Sequence, residues 1–445
     1  MPSFSCPPRT LRSRPVAARF VAALLVLAAF VLTGCGARIP GNSAQKQAAP
    51  PPPPPMQALP PPVVPIPVTQ TVKVGLLLPL SGPNAGLGQG MLDAASMALF
   101  DVQGSRVELE PRDTKGTAEG AAAAAREVLD DGVQLLIGPL TAVEVTAVKP
   151  LAAERRVPIL AFSTAASLAG DGTYLLGFLP SEEVRRVVAF AHQKGAQRFA
   201  ILAPRSAYGQ LVADALASAA EAEGVTVVRS VLFDPLAADP SPYVRELAQP
   251  DQRRESFERQ RQQLEAANDP ASREALKRLL ASGEAEDIGF DALLMPLGGP
   301  LLRQVAPQLP KSGIDPKRVH LLGTGLWDDT AFVAAPELEG AWYAAPEPAA
   351  RADFEKRFQA IYGHAAPRLS TLAYDAAALA VVLTAGDRPS GINEASLTNP
   401  NGFSGLDGIF RLRPDGRVEH GLAILEVHQT GPKIISPAPQ NFAGL

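Results

Sequence analysis

The chain has 445 residues, 46% of them hydrophobic and 19% charged, with 44 prolines, 37 glycines and two cysteines. At roughly 150 residues per domain this length carries two or three domains, and the hydrophobic share excludes global disorder. A net charge of −4 excludes the basic footprint of a nucleic-acid binder.

Residues 1–34 carry the features of an export signal rather than of a fold. Arg9, Arg12, Arg14 and Arg19 precede an apolar run from Phe20 to Leu32. That run is shorter than the ~18–20 apolar residues that span a bilayer, so it fits the apolar core of a signal better than a membrane helix. Leu32-Thr33-Gly34-Cys35 resembles the lipobox of bacterial lipoproteins, which implies that Cys35 is lipidated and becomes the mature N-terminus. Gly36 stands where an Asp would resemble an inner-membrane retention signal, which implies an outer-membrane anchor. Cys6 would leave with the signal, so no disulfide is expected. The four signal arginines leave with it too, and the remainder holds 37 basic against 45 acidic residues, a net charge of −8. Such a balance suits a periplasmic body that meets the membrane through its lipid alone.

Residues 35–70 contain Pro50 to Pro55 and Pro60-Pro61-Pro62 with almost no charge. A tract of this kind favours extended polyproline II at about 3.1 Å per residue, a tether of up to roughly 100 Å.

From residue 71 the pattern changes to short apolar runs alternating with helical spacing. Val72 to Leu78 is a strand bounded by Pro79, Ser81, Gly82 and Pro83, Gln89 to Phe100 a helix, Val107 to Glu110 a strand and Glu119 to Asp130 an Ala-rich helix. Leu135 to Gly138 is strand, Val143 to Glu154 helix and Pro158 to Phe162 strand. After Pro180 the alternation restarts. Helices are predicted at Glu182 to Gln193, Gln210 to Glu223 and Leu301 to Leu309, and strands at Phe199 to Ala203, Val225 to Leu232, Ala292 to Pro296 and Val319 to Gly323. Residues 251–287, dense in Arg, Glu and Gln around Asn268-Asp269-Pro270, form two amphipathic helices inserted between strands, either a solvated hairpin or a docking element.

Repeated strand–helix units imply an α/β fold of two doubly wound, Rossmann-like lobes with a cleft between them. Ligands of open α/β sheets bind outside the carboxyl ends of the strands, so the cleft is the expected site. Chain crossings are expected near Pro180, Gly325 and Asn401. The first lobe would then hold 71–180 and about 326–400, and the second about 181–325 and 401–445.

Val74 to Pro83 with Gly88, Gly90 and Asp93 resembles the opening strand, loop and helix of leucine-type periplasmic binding proteins. Asp113, Ile137-Gly138-Pro139, Val157 to Leu160 ahead of Ser163, and Tyr208-Gly209 follow the same pattern. The resemblance implies a type I binding-protein fold whose cleft holds an amino-acid-like ligand by its carboxylate and ammonium groups. It places Ser81, Thr141, Ala142, Ser163, Ala165 and Ser167 on the first lobe of the cleft, and Tyr208 on the second. Ser167 would equally serve as a helix cap and Tyr208 as a packing residue at the rim. Thr141-Ala142-Val143 departs from the Ser-rich loop of amino-acid binders, and an acid for the ammonium is not clearly placed; Asp234 and Asp239 are the nearest choices.

The proline-rich tether, the charged insertion, Gly323 to Asp328 and Leu372 to Ala376 further resemble penicillin-binding protein activator lipoproteins. That resemblance implies a regulator whose partner is a peptidoglycan synthase. The leucine-type pattern implies instead a solute binder whose partner is an ABC transporter permease, and both readings stand at this point. Trp327 would lie near the lobe junction, packing the hinge or facing a partner.

Enzyme signatures are lacking. Gly86-Leu87-Gly88-Gln89-Gly90 has Met91 where a dinucleotide fingerprint needs its third glycine. Those glycines instead suit a tight turn and close helix packing. No Walker loop, Gly-x-Ser-x-Gly elbow or His-Glu-x-x-His pair occurs, and the five histidines are dispersed. A non-enzyme without cofactor or metal is expected.

Overall fold

The computed structural model describes residues 71–102, 106–267, 269–282, 287–328, 335–385 and 391–443. The expected signal, Cys35 and the proline-rich tether lie outside the described residues.

The first sheet is built from β1 (Val72–Leu78), β2 (Val107–Asp113), β3 (Leu135–Ile137), β4 (Ile159–Ala161) and β5 (Thr173–Leu175), with α1 (Ala85–Asp101), α2 (Ala118–Asp130) and α3 (Ala142–Arg155) as the crossovers. Its order is β2-β1-β3-β4-β5 and every pairing is parallel. A parallel strand is covered on both faces, so it carries an unbroken apolar run rather than an alternation. Val74, Leu76, Leu77 and Leu78 of β1 are accordingly fully buried.

The chain then enters a second layer. It contributes α4 (Pro180–Gln193), β6 (Arg198–Pro204), α5 (Ala207–Glu223), β7 (Thr226–Phe233), α6 (Ser241–Ala248), α7 (Pro250–Ala267), α8 (Pro270–Ser282), β8 (Ala292–Leu294), α9 (Gly299–Val305), α10 (Gln308–Lys311), β9 (His320–Gly323) and β10 (Trp342–Ala345). The remainder forms α11 (Pro348–Tyr362), α12 (Ser370–Thr384), α13 (Glu394–Leu397), β11 (Phe403–Gly405), β12 (Gly408–Leu412), β13 (Val418–His420), β14 (Ala423–Glu426) and β15 (Lys433–Ser436). The second sheet runs β15-β14-β10-β9-β8-β6-β7, parallel except where β14 and β15 join antiparallel. A small antiparallel sheet, β11-β12-β13, completes the fold.

Each large sheet has its own core. The first gathers β1 to β5 with Leu372, Leu379 and Val381 of α12 and with Phe410, Leu412 and Val418 of the small sheet. The second sheet is sandwiched between two apolar layers, one around Phe233, Phe290 and Trp327 and one around Val188, Phe199 and Trp342. Phe354 and Phe358 of α11 pack on Ala94 and Met97 of α1, which ties α11 to the first lobe.

These cores fix where the chain changes lobe. The first crossing lies between β5 and α4, at the expected Pro180. The second falls between Ala345 and Pro348, not near Gly325, because β10 pairs with β9 and β14 inside the second sheet. The third falls between His420 and Ala423, not near Asn401, because β11 to β13 pack on the first core.

Glycine is required at two equivalent turns. A Cβ on Gly88 would sit 2.1 Å from the carbonyl oxygen of Pro79, and one on Gly209 would sit 1.9 Å from that of Pro204. In each lobe the helix therefore starts almost on top of the strand it follows, and only hydrogen fits between them. The inserted hairpin is less integrated: α7 buries no side chain.

Candidate functional site

Every candidate cleft residue follows the carboxyl end of a parallel strand. Ser81 follows β1, Thr141 and Ala142 follow β3, and Ser163, Ala165 and Ser167 follow β4. In the second lobe Tyr208 follows β6, Asp234 follows β7 and Trp327 follows β9. Their environments differ.

On the first lobe, the exposed Ser81 donates its backbone N–H to Asp113 Oδ1 at 3.2 Å, beside Leu80 N–H at 2.9 Å and Lys115 N–H at 2.8 Å. Burial alone would raise the Asp113 carboxyl, but these donors and the Ser81 hydroxyl hold it below the ordinary carboxylate range. Thr141 caps α3. Its N–H donates to Glu144 Oε2 at 2.8 Å and its hydroxyl donates to the same oxygen at 2.6 Å. Glu144 is fully buried and also accepts from the Thr114 hydroxyl, so this carboxylate locks the loops after β2 and β3 together. Ala142 is exposed beside Thr141. Ser163 is buried and its hydroxyl accepts the N–H of Ala165 at 3.2 Å. Ala165 precedes the short 3-10 turn Ala166–Leu168, within which Ser167 is exposed rather than capping.

On the second lobe, the Tyr208 hydroxyl pairs with Thr324 Oγ1 at 3.0 Å. Burial, against the pull of that hydrogen bond, pushes the phenol up to about 12. Asp234 is exposed and turns back on its own loop, accepting Leu236 N–H at 2.9 Å. Asp239 does the same with Ser241. Trp327 is only 3% exposed: its indole packs in the second core and donates to the carbonyl of Leu297 at 2.9 Å. A Cβ on Gly323 would collide with that indole at 2.1 Å, so the glycine of the motif makes room for its tryptophan. Trp327 thus anchors a loop rather than offering a face to ligand or partner.

The loop it anchors leads to a group of charged residues at the lobe junction. Asp328, next to Trp327, accepts from Arg351 through both guanidinium nitrogens Nη1 and Nη2 and lies 3.4 Å from Nε of Arg368. Arg368 also pairs with Asp407 at 3.2 Å. Asp375, in the second of the two activator-like motifs, accepts the N–H of Leu406 at 2.9 Å. Burial, and then the neighbouring Asp407, push the Asp375 carboxyl up to about 8. Glu183, buried at the start of α4, accepts Gly325 N–H at 2.9 Å. Its carboxyl is pushed up to about 7 by burial, against the opposing effects of that hydrogen bond and of Arg368. The imidazole of His420 is driven down to about 4 by burial and is therefore neutral.

Sequence reasoning singled out none of Glu183, Arg351, Arg368 and Asp407. The usable signal was the acid near the end of each motif, Asp328 and Asp375: an acid embedded in an apolar stretch needs a partner elsewhere in the chain. A groove of about 500 Å³ lies at the other end of the first lobe, beside Arg156, Pro158, Tyr174, Glu394 and Gly416. Among the described residues no group of His, Cys, Asp and Glu could hold a metal ion, and no helix is long and apolar enough to cross a membrane.

Two lobes, each a mainly parallel sheet whose carboxyl-end loops carry the polar candidates, define a binding protein of the bilobed α/β kind. The family model described as periplasmic binding protein matches residues 71–432, and the chain belongs to that family. It is 29% identical over 168 residues to the Leu/Ile/Val-binding protein BraC3 of Rhizobium johnstonii, covering 35% of this chain and 46% of that protein. It is 30% identical over 157 residues to the penicillin-binding protein activator LpoA of Photobacterium profundum, covering 34% of this chain and 25% of that protein. The chain thus spans less than half the length of these curated relatives. Its fold is similar to the crystal structure of a branched chain amino acid ABC transporter periplasmic ligand-binding protein from Burkholderia xenovorans. That likeness has a TM-score of 0.62 at 20% identity and covers 83% of this chain and 96% of the other.

Proposed function

We propose that this protein is a non-enzymatic periplasmic lipoprotein that regulates, as an activator, a peptidoglycan synthase. In this reading it is anchored through Cys35 to the outer membrane, and the tether lets the bilobed body reach its partner. The observation that carries the reading is that most groups expected to hold an amino acid are engaged within the protein. Both donors of Thr141 go to Glu144, the Ser163 hydroxyl accepts Ala165 N–H, Tyr208 pairs with Thr324, and Asp234 closes its own turn. The partial similarity to an activator supports the same reading.

A second reading is a solute-binding lipoprotein working with an ABC transporter permease. The match to BraC3 favours it, and the exposed Ser167 and Ala142 leave the first-lobe loops open to a small ligand. Calorimetric titration with leucine, isoleucine and valine separates the two. The regulator reading expects no saturable heat; micromolar binding that is lost in Tyr208→Ala would overturn it in favour of transport.

A further inference from the structure

Among the groups at the lobe junction, Arg368 contacts both lobes and the first chain crossing. Its Nε lies 3.4 Å from Asp328 Oδ2, on the loop that Trp327 anchors to the second core. Its Nη1 donates to Asp407 Oδ2 at 3.3 Å and to the Thr371 hydroxyl at 3.1 Å, both on the first lobe. Its guanidinium lies over the ring of Phe178, 5.0 Å from the centroid, and Phe178 sits in the first chain crossing. The same ring lies 4.6 Å from the imidazole of His420, the last residue before the third crossing. Arg351, which grips the other side of Asp328, comes three residues after Pro348, where the second crossing ends.

We propose that Arg368 is the hub of an ionic latch that sets the angle between the two lobes, with Asp328 as its second-lobe catch and Arg351 as the second arm. Each partner is held by its own lobe. Asp328 follows Trp327, whose backbone N–H bonds Thr324 and whose indole bonds Leu297. Arg351 rides on α11, which is fastened to α1 by Phe354 and Phe358 and by Tyr362, whose hydroxyl donates to the carbonyl of Asp93 at 2.8 Å. Residues this close to the crossings have little leverage against opening. They act on rotation, because the two-bond contact of the planar Arg351 guanidinium with Asp328 fits one relative orientation only, and Arg368 adds a third contact to the same carboxylate from Nε. The side chain of Asp328 is only 6% exposed, so water does not readily replace the arginines when the lobes turn.

Double electron–electron resonance on the full chain in detergent tests this. Spin labels go at Val143, exposed in the first turn of α3, and at Leu236, exposed on the loop after β7 in the opposite lobe, in a background with Cys6→Ser and Cys35→Ser. The intact latch gives one narrow inter-lobe distance. Asp328→Asn, and separately the charge-balanced pair Arg368→Met with Asp407→Asn, should broaden that distribution or add a second peak. The balanced pair guards against an unfolded variant, because it leaves neither charge buried alone. An unchanged, narrow distribution in the balanced pair, with native circular dichroism, overturns Arg368 as the hub, and an unchanged distribution in Asp328→Asn as well overturns the latch.

Discussion

Replacing Glu183 with Gln removes a carboxyl that the fold forces to hold its proton well above the ordinary 4.5, at about 7. Burial is the main cause. Gly325 N–H and Arg368 oppose it, Asp328 adds to it, and Tyr208 lies near enough to feel the charge. Below the ordinary value both folded and unfolded chains carry the proton, and the group costs nothing. As pH rises from 4.5 to about 7 the unfolded chain ionises while the folded chain resists, so stability falls across that window and levels off above it. At about 1.4 kcal/mol per pH unit, the loss reaches about 3 kcal/mol. Gln keeps a carbonyl oxygen for the Gly325 N–H but cannot ionise. Urea denaturation of both proteins at several pH values should show nearly equal stability at about pH 4 and a variant more stable by up to about 3 kcal/mol at about pH 8. A gap that does not change with pH, or a variant less stable at the alkaline end, refutes the argument.

Three further outcomes follow from the same geometry. Trp327→Ala should cost about 3–5 kcal/mol in thermal or urea denaturation, because a buried indole and its bond to Leu297 are lost together. Tyr208→Phe should cost only about 1 kcal/mol, the worth of one hydrogen bond to Thr324, and a much larger loss would mean that the hydroxyl holds more than that bond. His428 is clamped between Glu339 and Glu426 at 2.7 Å on each ring nitrogen, and the bond to Glu339 is the main cause of its raised pKa. Its contribution is therefore full below the ordinary 6.5 and lost as pH rises through the raised value. Wild type should lead His428→Gln in melting temperature at about pH 5.5 and lose that lead in alkaline buffer.

Much of the first half of the fold was legible in the residues. Continuous runs such as Val72 to Leu78, closed by Pro79 and Gly82, have one reading as buried parallel strands, and Gly88 marked the tight strand-to-helix turn. β5 was not seen, because a short 3-10 turn rather than a helix joins it to β4 and the strand–helix alternation does not mark it. None of α11, α12, α13 and β10 was placed. α12 is apolar nearly all round because it is covered on several sides, so it shows no stripe, and β10 is too short to be told from a helix fragment. Missing β10 misplaced the second crossing. The site was less legible than the fold. The cleft candidates lie after strand ends, but spacing cannot reveal that Trp327 points into the core. Nor can it reveal that Thr141 spends its donors on Glu144. The charged junction joins residues as far apart as Glu183 and Asp407, and only tertiary packing brings such groups together.

The proposed role of the body is to act on a peptidoglycan synthase. Its most direct test is the rate of peptidoglycan polymerisation and cross-linking by a purified bifunctional synthase from the same cell, with and without this protein. The expected result is a faster reaction that saturates with added protein, and a synthase retained on a column bearing it. An unchanged rate and no retention would contradict it.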